Sequence, residues 1–382
     1  MTAPQDRPGF PHVLGHADAQ AMLTRALGRG QLHHAVMLVG PRGIGKATLA
    51  RGLACALLCP VAPARGCGAC GVCQRVLAGT HPDVDWLRPE GAAGQITIDS
   101  ARACHLRQQN APYEGRAYMV VIDPADALNE ASGNALLKAV EEPRPGVHFL
   151  LLATNMQAVL PTILSRSLPI RLGRLSDDDV AGILRARAPD VDPERQRTAV
   201  LLAEGSAGVA LELAVDPALE RCLDLLREAL RAAQLGPPAI FAGDKGPLWT
   251  AFSAAVQELA AAEAEAQAQA AEAQAAATGK KRRAPADKAD KADKAGKAKE
   301  SPAHQRWVAG RLAELWTLHL RERTRGRSGL PGLPPLDRLA PAATVRHLAV
   351  LQRFVARVDR NANIRLLLEE TLLELSAAGA PG

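Results

Sequence analysis

The sequence predicts an α/β unit built on a parallel sheet and continued by an all-α region, and three observations carry that expectation. Short, nearly unbroken apolar runs at 35–39, 118–122 and 148–153 have strand length and alternate with stretches of helical spacing. Runs of this kind belong to strands covered on both faces, the signature of a parallel sheet. A glycine-rich loop, Gly40-Pro41-Arg42-Gly43-Ile44-Gly45-Lys46, follows the first run where a strand should feed a helix. Beyond about Arg174 the strand signals fade and helical periodicity alone continues.

In chain order, 18–27 reads as a helix, 35–39 as the first strand and 47–58 as the helix after the glycine loop. Ile96 and Ile98 alternate with Thr97 and Asp99, a strand-like pattern, before a helix from Ser100. The run 118–122 is a buried strand, 130–142 a helix stopped by Pro143, 148–153 a further strand, and 168–172 a short last one. Three short helices are expected at 177–187, 193–204 and 207–215, with Ser176 and Asp192 as caps. Longer helices follow from Pro217. Residues 260–277 are almost only Ala, Glu and Gln and can extend a helix, whereas the Lys/Asp/Ala stretch after them has nothing to bury. The expected insert of disorder spans about 261–303. Helical pattern resumes at His304, and two helices close the chain.

Composition narrows the function classes. The net charge of +6 is concentrated in 279–300, where nine Lys/Arg face four acidic residues, so the rest is close to neutral. That leaves no basic stripe for a folded nucleic-acid face, and 3% aromatic content is poor for stacking on single-stranded bases. No start-proximal apolar run or long uncharged apolar stretch occurs, so a cytoplasmic protein is expected.

The motifs carry more. Backbone N–H groups of a loop such as Gly40–Gly45 cradle phosphates at a helix N-terminus, and Lys46 would reach the terminal oxygens. The pattern asks for Ser or Thr next, whose hydroxyl ligates the nucleotide's Mg²⁺; this chain has Ala47. Thr48 is one residue along the helix, turned by about 100°. Val120-Val121-Ile122-Asp123 has the form of a strand whose terminal Asp holds that metal, yet its neighbour is Pro124, which carries no base. Asp126 is expected to cap or brace. Cys59, Cys67, Cys70 and Cys73 form C-x7-C-x2-C-x2-C, which can close a structural tetrahedral shell around Zn²⁺, with Cys55 as a competitor one helical turn earlier. Cys104 and Cys222 are expected to be buried. The segment from Asn134 to Pro143 and the trio Ser165-Arg166-Ser167 are weak alone: an ordinary amphipathic helix and a surface arginine.

Taken together and in this order, these residues resemble bacterial clamp-loader subunits of the AAA+ class, in particular their delta-prime branch, over about 10–215. The resemblance implies an AAA+ P-loop parallel-sheet domain at 1–173 with an inserted zinc module at about 59–73, a helical lid at 174–215 and a helical collar at 216–382. It implies that Ser165-Arg166-Ser167 matches a Ser-Arg-Cys motif whose arginine serves, in trans, the ATP of a neighbouring subunit. It implies a nucleotide site, for ATP or ADP, at Gly40, Gly43, Gly45, Lys46, Thr48, Asp123 and Thr154, the last at the first sensor position. Val209 occupies the place of the second sensor arginine, a third loss beside Ala47 and Pro124. The implied partners are gamma/tau and delta subunits in a hetero-pentamer, with the sliding clamp and primed DNA reached through the complex, as part of a DNA-directed DNA polymerase. Two other readings stand beside it: an ATP-hydrolysing gamma/tau-like subunit of the same fold, and a zinc-dependent nucleic-acid module.

Overall fold

The computed structural model describes residues 10, 12–89, 94–107, 111–114, 117–243, 246–277, 301–326, 329–330, 333–334, 341–358 and 363–379, with backbone alone at 266–277, 341 and 378–379. The basic 279–300 tract lies outside the described residues. Contacts divide the chain into two compact units: Met1–Pro189 with Ala203–Leu211, and Asp190–Leu202 with Glu212–Gly382.

The first unit holds five parallel strands, β1 (Ala35–Val39), β2 (Val84–Leu87), β3 (Tyr118–Ile122), β4 (Val147–Ala153) and β5 (Leu168–Arg171), in the order β2-β3-β4-β1-β5. Every residue of β1 and β3 is buried, as their unbroken apolar character requires. The two-residue period of a strand splits these side chains between faces. Val36, Leu38, Met119, Val121, Leu150 and Leu152 join one core with α1 (Ala17–Gly28), α2 (Lys46–Leu58) and α3 (Gly71–Ala78). Met37, Val39, Val120, Ile122, Phe149 and Leu151 join the other with α4 (Ile98–Arg107) and α5 (Glu130–Glu141). Each fully buried aliphatic side chain of this kind contributes about 1.5–3 kcal/mol. Short α6 (Pro161–Leu164) precedes β5, and α7 (Asp177–Arg187) follows it.

The strand-like pattern at 96–99 does not form a strand. Ile96 makes a single isolated bridge to Leu128, Thr97 Oγ1 accepts the Ser100 N–H, and α4 begins at Ile98. A threonine that caps a helix satisfies the local N–H groups a ladder would otherwise claim. The edge strand is instead β2, a four-residue piece that pairs with β3 from Val84 opposite Met119 to Leu87 opposite Ile122. Asn129 caps α5 in a reciprocal box with Ser132. The expected caps Ser176 and Asp192 accept the N–H groups of Asp179 and of Glu194 and Arg195.

The remaining elements are helices: α8 (Pro193–Leu202), α9 (Ala207–Val215), α10 (Pro217–Leu235), α11 (Pro237–Ile240), α12 (Pro247–Ala277), α13 (Pro302–Thr324), α14 (Pro341–Val358) and α15 (Ile364–Gly379). Within the second unit, α10 lays Leu219, Cys222, Leu225, Leu226 and Leu230 against α12, α13 and α15. Helix α12 runs through the alanine-rich stretch to Ala277, so 261–277 is helical where the sequence placed the start of the disordered insert. High alanine content supplies helix propensity without need of a buried face. Cys104 and Cys222 are fully buried, as expected. Among the described residues no helix is long and apolar enough to cross a membrane.

Candidate functional site

The glycine loop connects β1 to α2 and takes its shape from two residues in the left-handed region, Gly43 (φ 74°) and Gly45 (φ 108°), the second capping α2. A side chain is excluded at Gly43 for a further reason: its Cβ would lie 2.5 Å from Ser206 Oγ and 3.0 Å from Val209 N. Segment Ala203–Leu211 of the same unit is laced to the loop, with Gly208 N–H donating to Gly43 O at 2.8 Å and Ser206 Oγ to Arg42 O at 3.1 Å. Lys46 Nζ donates to Gly40 O at 2.6 Å and Pro41 O at 2.8 Å. Burial pulls the Lys46 pKa down, opposed by the carboxylates of Asp126 and Asp123.

A cavity of about 640 Å³ opens over this loop, a volume suited to a small ligand. Val13, Leu14, Leu175, Ile183 and Leu211 give it an apolar side; Arg42, Lys46, Arg51 and Arg187 give it four cations, and Asp123 supplies a carboxylate. Gly43, Gly45, Lys46, Thr48, Asp123 and Thr154 all line it, whereas Gly40 lines a neighbouring depression that Thr154 shares. The sequence reading did not include Arg51, Arg187, His12 or His16, which line it too. His16 is tied to the loop through Nε2 and Ile44 O at 2.8 Å. Burial, then the Arg187 charge, lowers the His12 pKa, which favours neutral imidazole. No local motif marks these four; α7 contributes Arg187 from 141 positions beyond Lys46 along the chain.

At the end of β3, Asp123 lies 3.9 Å from Arg88 Nε (carboxylate Oδ2), and the Asp123–Pro124 peptide is cis. Asp126 is a brace: it accepts the Thr154 N–H at 2.9 Å and the Thr154 hydroxyl. The Thr154 hydroxyl is thereby engaged within the chain. Magnesium needs oxygen donors in a near-octahedral shell. Here Ala47 offers none and Asp123 faces a guanidinium, so the residues present do not fit that ion. Val209 donates its N–H to Ser206 Oγ and does not line the cavity.

The cysteines of the expected metal module converge. Their four Sγ atoms lie within 4.8 Å of one another, with Cys59–Cys67 at 3.6 Å, Cys59–Cys70 at 3.8 Å and Cys67–Cys73 at 4.0 Å. Four sulfurs bound at about 2.3 Å to a tetrahedral ion stand about 3.8 Å apart, so this group can hold a metal ion. Cys59 ends α2, Cys70 caps α3, and Gly66 and Gly68 turn the chain between them at positive φ. Backbone N–H groups of Ala69 and Cys70 draw the Cys67 pKa down to about 6, which favours a thiolate ligand. Burial raises the Cys73 thiol pKa, opposed by the Gly68 backbone N–H. The competitor Cys55 stands apart: its Sγ is 3.8 Å from Cys73 O, and burial pushes its pKa up to about 11.

Arg166 lies outside the cavity, between α6 and β5. Its guanidinium pairs with Glu141 Oε1 at 3.0 Å and donates to Thr162 O at 3.1 Å and Ser165 Oγ at 3.3 Å, with a third of the side chain exposed. Ser167 turns inward and donates to Ile163 O at 2.8 Å.

Residues 15–176 match the family described as "DNA polymerase III, delta subunit". The chain is 44% identical over 149 residues to the DNA polymerase III subunit delta′ of Pseudomonas aeruginosa, covering 38% of this chain and 45% of that protein. It is 34% identical over 209 residues to the tau subunit of Escherichia coli, covering 53% of this chain and 32% of the relative. With subunit delta′ of Haemophilus influenzae it shares 30% identity over 207 residues, 54% of this chain and 62% of that one. The chain thus spans less than two thirds of the length of each of these relatives.

Proposed function

We propose, from the match of residues 15–176 to the DNA polymerase III delta family and the likeness to delta′ subunits, that the chain is a delta-prime-type clamp-loader subunit which assists ATP hydrolysis by its neighbours and does not itself turn over ATP. Its fold is that of an AAA+ P-loop unit with a cysteine module and further helices. In this reading it joins gamma/tau and delta subunits in a hetero-pentamer that loads the sliding clamp on primed DNA. Residues 1–173 form the P-loop domain, 174–215 the lid and 216–382 the collar. Arg166 is presented in trans to a neighbour's ATP, and Cys59, Cys67, Cys70 and Cys73 hold a structural zinc ion. The cavity over Gly43, Gly45 and Lys46 is a passive holder of ATP or ADP.

The observation that carries this reading is the state of the chain's own metal position. Ala47 lacks the ligating hydroxyl, Asp123 faces Arg88, and Pro124 offers no base, so ligand and base chemistry are both missing from one cavity. Hydrolysis at such a site would lose the electrostatic clamp on which phosphoryl transfer depends. The second reading, a gamma/tau-like ATPase, is favoured by one observation, that Thr48 lines the cavity and could supply the missing hydroxyl. Steady-state ATPase of the purified full-length chain separates the two. We expect no turnover above that of a Lys46→Ala variant. A magnesium-dependent rate abolished by that substitution would establish the ATPase instead.

A further inference from the structure

We propose that Arg88, by pairing with the Asp123 carboxylate that lines this cavity, takes the place of magnesium, so that the site holds a nucleotide with no need of a divalent cation. The inference rests on the nucleotide-holding reading and goes beyond it to the form of the ligand.

Sheet geometry puts Arg88 there. Strands β2 and β3 are parallel and in register, with Trp86 opposite Val121 and Leu87 opposite Ile122. Pairing continues one step, since Asp123 N–H donates to Leu87 O at 2.9 Å. Trp86 and Val121 pack on the α2 face, and the two-residue period returns the next side chains, Arg88 and Asp123, to that same face. The guanidinium is also anchored from behind. Arg88 Cζ lies 4.7 Å from the centre of the Trp86 ring, and Arg51 Cζ, reaching from α2, lies 5.1 Å from it. One indole therefore holds two guanidinium groups, Arg51 on the cavity wall and Arg88 on the acid. Such contacts favour the charged groups and fix their planes.

The charge pattern fits a bare polyphosphate. The cavity wall carries Arg42, Lys46, Arg51 and Arg187, and Asp123 is the acid among its lining residues. In a magnesium-using site that acid and a hydroxyl draw in the metal, and the metal screens the phosphates. Here the hydroxyl is absent and Arg88 pairs with the acid, so the carboxylate charge that would oppose a phosphate in this cavity is offset without a metal. Guanidinium groups bind phosphate oxygens well without a metal.

The test is a titration of the full-length chain with fluorescent N-methylanthraniloyl-ADP, once in excess EDTA and once in excess magnesium. The dissociation constants should agree within about twofold, or be lower in EDTA. Arg88→Gln exposes the Asp123 charge to the phosphates, so binding in EDTA should weaken at least about fivefold and magnesium should restore part of it. Adding Asp123→Asn to that variant should remove the magnesium response. Binding tighter by about tenfold or more with magnesium in the unaltered chain overturns the inference and leaves the nucleotide reading standing. Arg88→Gln that binds like the unaltered chain in both buffers overturns the role of Arg88. Absence of binding in either buffer overturns this inference and the nucleotide reading together, while the role of Arg166 is untouched. The two-buffer comparison needs no variant, so it stands even where Arg88→Gln fails to fold.

Discussion

Replacing Arg166 by alanine separates a catalytic role from a structural one because the two predict effects of very different size. Structurally, the substitution removes an ion pair with Glu141 at 3.0 Å and hydrogen bonds to Thr162 O and Ser165 Oγ. The arginine side chain is 33% exposed and the glutamate 53%, so solvent screens the pair and its worth is about 0.2–1 kcal/mol. With the carbonyl bond, the total loss is about 1–2 kcal/mol, or a fall in melting temperature of about 2–8 °C for a unit of this size. No core side chain is disturbed, so assembly should survive. Catalytically, an arginine finger given in trans is worth about 10³–10⁵ in rate at the site it serves. The assay is ATP hydrolysis by the complex reconstituted with its ATPase subunits, run beside gel filtration and thermal melting of the same preparations. An assembled complex with near-native melting should lose the turnover contributed by the served site. Full ATPase activity in an assembled Arg166→Ala complex would refute the reasoning.

Two further outcomes are expected. Protein purified without chelator should contain one zinc ion per chain by elemental analysis, and Cys67→Ser should lose it and melt at lower temperature, since structural zinc binding is coupled to folding; metal-free native protein would remove the assignment. In the helical unit, His319 is fully buried, accepts the Leu330 N–H at Nδ1, lies 3.1 Å from Pro334 O through Nε2, and has its pKa lowered to about 4 by burial. Its unfolded counterpart titrates near 6.5, so the unfolded chain takes up a proton that the folded one refuses. Stability is therefore full above about pH 6.5 and is lost as pH falls toward 4, by up to about 3 kcal/mol from this residue. Urea unfolding at a series of pH values should show a shallower acid slope for His319→Gln, and an identical slope would assign the loss to other groups.

Local chemistry in the sequence determined much of this protein. Unbroken apolar runs specified β1, β3 and β4, because a strand buried on both faces needs apolar residues at every position. The glycine loop was legible since Gly43 and Gly45 must adopt positive φ, and the cysteine cluster that could hold a metal because four thiols within fifteen residues cannot easily avoid one another. The caps at Ser176 and Asp192 were legible for a similar reason, as a cap bonds only two or three residues ahead.

What tertiary structure decided is the set of contacts between residues far apart in the chain. The edge strand at Val84–Leu87 was hidden because four residues with Asp85 and Trp86 among them carry no period, and their pairing with β3 lies more than thirty positions away. The pattern at 96–99 misled because Thr97 could serve a ladder or a cap, and only the neighbouring helix chose between them. Likewise Arg51, Arg187 and His16 reached the cavity through helix packing, Asp126 found Thr154, and Glu141 found Arg166. The loss of Ala47's hydroxyl could be read from one letter of the sequence. That the acid opposite it faces an arginine, held there by a tryptophan on the edge strand, required the register of two strands, which no local spacing encodes.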